Sequence, residues 1–147
     1  MSGLVVRGIE HVHGHLGWLA ALALAHPAIL LRRPWRRALG VAAAATALVT
    51  VAAVLGAVMY PSYRAAVKPA VLASAPALAE LFERKEHLGV AAVVLAWTGL
   101  LLHALGYRNV VSRPELSRMA FVAYAGAAVL AAFAAGAGLV VAIHHSV

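Results

Sequence analysis

Four apolar stretches, each about as long as a bilayer crossing, dominate the chain and leave little choice of fold. They cover about 11–31, 38–60, 87–107 and 119–143, with no strand-like alternation of polar and apolar residues. About 20 apolar residues rising 1.5 Å each cross a hydrocarbon core of roughly 30 Å. Inside lipid the backbone must satisfy its own hydrogen bonds, which helices do and short open strands do not. The pattern predicts an all-α integral membrane protein, a four-helix up-down bundle forming a single membrane domain over residues 1–147. Composition excludes the soluble alternative. Of 147 residues, 64% are hydrophobic and 12% are charged, whereas a water-soluble surface takes about 25% charged residues.

The first stretch has one rival reading. Arg7, a short apolar run and Ala21-Leu22-Ala23-Leu24-Ala25 resemble a secretory leader. The apolar run continues, however, through Ile29-Leu30-Leu31 into Arg32, Arg33, Arg36 and Arg37, a stop-transfer pattern, so it reads as a retained span. The basic residues also set the orientation. The first connection holds those four arginines and no acid, and the third holds Arg108, Arg113 and Arg118 against Glu115. The second, 61–86, mixes Arg64, Lys68, Arg84 and Lys85 with Glu80, Glu83 and Glu86. The positive-inside rule then places the chain as multi-pass in an inner (cytoplasmic) membrane, with both termini and the 61–86 loop extracytoplasmic. The net charge of +7 is accounted for by topology and anionic lipid, and no nucleic-acid partner is expected. Within the 61–86 loop, Val67, Val71, Leu78, Leu81 and Phe82 recur at roughly helical spacing, broken by Pro69 and Pro76. One or two short amphipathic helices on the outer surface are expected there.

The chemistry available to such a chain narrows quickly. With no cysteine there is no disulfide framework, thiolate zinc, iron–sulfur cluster or covalently attached c-type haem. No phosphate loop, dinucleotide fingerprint or nucleophile elbow appears, and aspartate is absent. The metal-ligating residue in supply is histidine, of which there are eight. An imidazole within a span is costly and marks a functional site by default. The first span carries His11, His13, His15 and His26, and the third carries His87 and His103. Fifteen residues separate His11 from His26 and sixteen separate His87 from His103, about 23 Å in either case. Glu10-His11 and Glu86-His87 open the two spans alike.

Two matched levels of histidine on two helices running the same way are what two stacked bis-histidine haems require. In outline the chain resembles the membrane-embedded four-helix diheme b-type cytochromes, on His26, His103, His87 and either His11 or His15. The resemblance implies one or two haem b groups, with those histidines as axial ligands. It also implies electron transfer across the membrane to or from quinone, partner redox subunits, and propionate partners among Arg64, Lys68, Arg84 and Lys85 outside and Arg32, Arg33 and Arg108 inside. Such a chain is an electron-transfer subunit rather than a stand-alone catalyst, and Tyr60, Tyr63 or the amphipathic loop would offer quinone a place. Helical angles are a harder test. His15 and His26 lie within about 20° of one face, His11 and His26 differ by about 60°, and His87 and His103 by about 160°. Two other readings stay open. Glu10, His11, His13, His15, Glu86, His87, His144 and His145 could form an extracytoplasmic site for copper, zinc or iron. Alternatively, the chain is a structural membrane subunit whose histidines only pack.

Overall fold

The computed structural model describes residues 3–32, 39–107 and 114–145. Expectations placed on Arg33, Arg36, Arg37, Arg108 and Arg113, and on the side chains of Arg7, Glu10, His144 and His145, lie outside the described residues. The chain is all-helical: α1 (Gly3–Leu31), α2 (Leu39–Ala66), α3 (Lys68–Ser74), α4 (Pro76–Tyr107) and α5 (Pro114–His145). Among the described residues there is no strand. Four of these helices are long and apolar enough to cross a membrane, over His11–Leu31, Leu39–Ala66, Pro76–Tyr107 and Pro114–Ile143.

The helices outrun the apolar stretches. The second does not stop at Pro61 but continues to Ala66, and the third begins at Pro76 rather than near His87. What reads as a 61–86 loop is therefore two helix extensions flanking one short helix, α3. Proline explains both differences. Pro61 lacks the N–H that would reach the Ala57 carbonyl, a loss that membrane helices tolerate. Pro69 and Pro76 sit in first turns, where a missing N–H costs nothing because it has no intrahelical acceptor anyway. Pro27, inside α1, is packed into the core without ending its helix.

Each long helix has two neighbours. α1 packs on α2 and α5, and α4 packs on α5 and α2, so α1 and α4 stand across the bundle from one another. Along the α4–α5 seam, Lys85 meets Gly138, Leu95 meets Gly126, Gly99 meets Tyr124, and Gly106 meets Leu116. Falling numbers on one helix against rising numbers on the other make the pair antiparallel. The core is built from small side chains, among them Ala20, Ala42, Ala45, Ala92, Ala96, Ala120 and Ala127, with Leu24, Leu31 and Tyr124 as its large members. Small residues let backbones approach where lipid offers no hydrophobic drive to bring helices together.

Tyr124 crosses this core. Its hydroxyl lies 3.0 Å from Thr46 Oγ1 and 3.2 Å from the Ala42 carbonyl of α2. The same Thr46 oxygen lies 3.4 Å from the Ala96 carbonyl of α4. The ring can pass because residue 99 has no side chain: a methyl group there would come within 2.8 Å of it. Gly99→Ala should therefore destabilise the bundle by about 1–3 kcal/mol. Gly89→Ala, where a methyl group meets nothing within 4 Å, should leave stability equal or slightly raised. Denaturation of both variants in the same detergent checks the contrast.

Candidate functional site

The sequence-derived ligands divide into an outward set and an inward one. On α1, His11, His15, Trp18, Leu22, His26 and Ile29 follow one another at three- or four-residue steps, and all are exposed. Leu22 and Ile29, on either side of His26, are 70% and 63% exposed, so this stripe faces away from the bundle. The angular relation of His15 and His26 holds, and the face they share is the outer one. His87 is also exposed, with Nδ1 2.9 Å from the Glu83 carbonyl. His103 is the inward member, 3% exposed, its ring edge-on to Tyr107 at 6.3 Å. Its Nε2 is buried and has no hydrogen-bond partner. The basic residues assigned to propionates are spread out. Arg64 is exposed near the end of α2, and Arg84 is exposed and paired with Glu80.

A porphyrin bridging α1 and α4 inside the bundle needs inward imidazoles on both helices and a flat gap between them. Among the four ligand positions, His103 alone meets the first condition. The second fails as well, since alanines, Leu24 and the Tyr124–Thr46 contact close the interior. The residues present do not fit a haem held within one chain, and His26 and His103 are not brought together.

Four helices do converge at the other end. His13 of α1 lies 3.0 Å through Nδ1 from the Ala52 carbonyl of α2, so that nitrogen carries the proton and donates. The ring fits because Gly56 is opposite, where a methyl group would come within 2.9 Å of it. Lys85 of α4 is within electrostatic reach of His13. Its ammonium stands 4.1 Å from the Phe82 ring centroid, a cation–π contact, and its stem runs past Gly138 of α5. Tyr63 of α2 stacks on Phe82 with centroids 3.7 Å apart. Its hydroxyl is buried with no partner, although Glu83 and Glu86 are within electrostatic reach. Glu83 itself is taken up by Lys68 of α3 in an ion pair. The result is a polar end to an apolar bundle. A half-buried ammonium, an orphaned phenol and an imidazole are gathered beside an aromatic wall.

Sequence reasoning assigned His13 no haem-ligand role and passed over Tyr124; it offered Tyr63, Phe82 and Lys85 separately, as a quinone contact, part of an amphipathic helix and a propionate partner, without bringing them together. Tyr124 had a signal, a lone large polar residue amid the glycines and alanines of α5. The convergence of the end cluster had none, because its members come together only through the helical continuation past Pro61.

The cysteine-free chain makes the division of histidines directly measurable. In bilayers, a nitroxide label attached through a single cysteine at position 26 should be relaxed strongly by oxygen dissolved in lipid. One at position 103 should be protected at least about tenfold until the bundle is denatured.

Comparison with protein-family models, with curated proteins and with solved structures finds no match for this chain.

Proposed function

We propose that the chain is the membrane subunit of a b-type cytochrome assembly and that it exchanges electrons with quinone at the polar end of its bundle. The orphaned Tyr63 hydroxyl, beside Phe82 and Lys85, carries this reading. A buried phenol without a partner costs free energy comparable to a lost hydrogen bond, and a ligand with an acceptor oxygen removes that cost. A quinone is such a ligand. It reaches the site through lipid, its ring packs on an aromatic wall, and its carbonyl oxygens accept from a phenol or an ammonium. The protons that accompany quinone chemistry have titratable groups nearby in Glu86 and His13. The basic connections support an inner-membrane setting with both termini, and hence this end of the bundle, extracytoplasmic.

The metal-site reading gains no support: no group of three or more His, Asp or Glu among the described residues is placed to hold an ion. Quinone-analogue binding to the purified protein tests the proposal. Tyr63→Phe, which keeps the stacked ring and removes the donor, should weaken binding about tenfold, or roughly 1.4 kcal/mol. Equal affinity in the variant, or displacement of the analogue by anionic phospholipid, would refute it.

A further inference from the structure

The Tyr63 hydroxyl is buried, yet it rides on a segment with little anchorage. From Pro61 to Leu78 no residue is buried as a whole, and α3 adds none to the core. Soft points bound this segment on both sides. Pro61, two residues before Tyr63, leaves the Ala57 carbonyl without its helical donor. Ala75 closes α3 with a backbone outside the helical region, at φ −149° and ψ 74°. Between these points helical hydrogen bonds run on, from the Val67 N–H to the Tyr63 carbonyl and from the Val71 N–H to that of Val67. Residues 62–74 are therefore stiff within and weakly hinged at their ends.

Two side-chain contacts tie the segment to α4. The Tyr63 ring stacks on Phe82, and Lys68 pairs with Glu83, the next residue along α4. Arg64 adds only a longer-range attraction to Glu83, and Ser74 turns back on the Ala70 carbonyl of its own helix. Both partners of the ion pair are open to solvent, which makes such a pair weak and sensitive to salt.

Phe82 shows why the segment has to move. Tyr63 lies nearly parallel to one face of its ring at 3.7 Å, which leaves the other face to the Lys85 ammonium, 4.1 Å away. With both faces taken and the hydroxyl buried, a flat ligand finds neither free until one neighbour withdraws. Lys85 is the more fixed of the two, because its stem lies in the α4–α5 seam beside Gly138. Withdrawal of residues 62–74 frees a Phe82 face and brings the hydroxyl within reach in one movement.

We propose that residues 62–74 form a hinged strap, bending at Pro61 and Ala75 and latched by Lys68–Glu83, whose opening admits ligand to the polar end. That role rests on reading this end as the quinone site, whereas the movement itself needs no ligand. Loosely anchored segments of this kind open locally while the rest of a fold stays intact.

The full-length chain has no native cysteine, so the strap can be locked selectively. Lys68→Cys with Glu83→Cys, bridged by a short bis-maleimide, is compared in nanodiscs with the same protein capped by N-ethylmaleimide. Both forms lack the ion pair and differ in the bridge. Nitration of Tyr63 by tetranitromethane, located by mass spectrometry, reads opening without any ligand. Bridging should slow it at least about tenfold relative to capping, and the association rate of a quinone analogue should fall in step. Lys68→Met, which keeps Glu83 and loses the latch, should be nitrated about two- to fivefold faster than the parent chain, the range expected for loss of an exposed ion pair. Equal nitration of bridged and capped protein would overturn the strap, as would analogue association that bridging leaves unchanged. Slowed nitration in a protein that binds no analogue, capped or unmodified, leaves the strap standing and strikes the quinone reading alone.

Discussion

A polar side chain in hydrocarbon must find its partner in protein, because no water is there to supply one. Most of the polar groups in this bundle obey that constraint locally. Thr50 and Thr98 return their hydroxyls to carbonyls four residues earlier on their own helices. Thr46 and Tyr124 satisfy each other and two neighbouring backbones. His13 donates to Ala52 across the α1–α2 seam. Among the described residues two buried side-chain groups are left without a partner, the Tyr63 hydroxyl and the Nε2 of His103. The first of these lies beside Phe82 and Lys85 at the polar end, where the proposed function is placed.

Small side chains decide what the interior can hold. Alanine and glycine along the seams bring the backbones close, and the one large ring that enters, Tyr124, fills the space that Gly99 leaves. An interior of this kind gains its stability from close contact and has no slot for a planar cofactor. The same composition was equally compatible, as sequence, with room between helices. Packing chose between the two. At the polar end the larger side chains Lys85, Phe82 and Tyr63 meet one another instead.

The bundle was legible in the sequence because hydropathy and length act over whole segments. Four long apolar helices, with no strand among the described residues, follow from runs of about 20 apolar residues. The helix ends were less so, since Pro61 looks like a stop and the bundle carries α2 through it. For the site, position along a helix was readable and direction was not. Spacing sets how far apart the histidines lie along α1 and α4, but only the packing of α1 on α2 and α5 tells which face of α1 is outward. His15 and His26 share a face by arithmetic alone, and nothing in the arithmetic says that the face is turned to lipid. Tyr63 was noted for its place at a membrane edge, where tyrosine is common, and its orphaned hydroxyl depends on Phe82 stacking beside it.

Occupancy of the polar end beside Tyr63 is the claim on which the functional account turns. A structure of the protein in a lipid nanodisc with a quinone analogue would decide it. The account predicts the analogue's ring against Phe82 and a carbonyl oxygen within hydrogen-bond distance of the Tyr63 hydroxyl, with the Tyr124–Thr46 contact intact. An analogue bound elsewhere, with the Tyr63 hydroxyl still unpartnered, would contradict it.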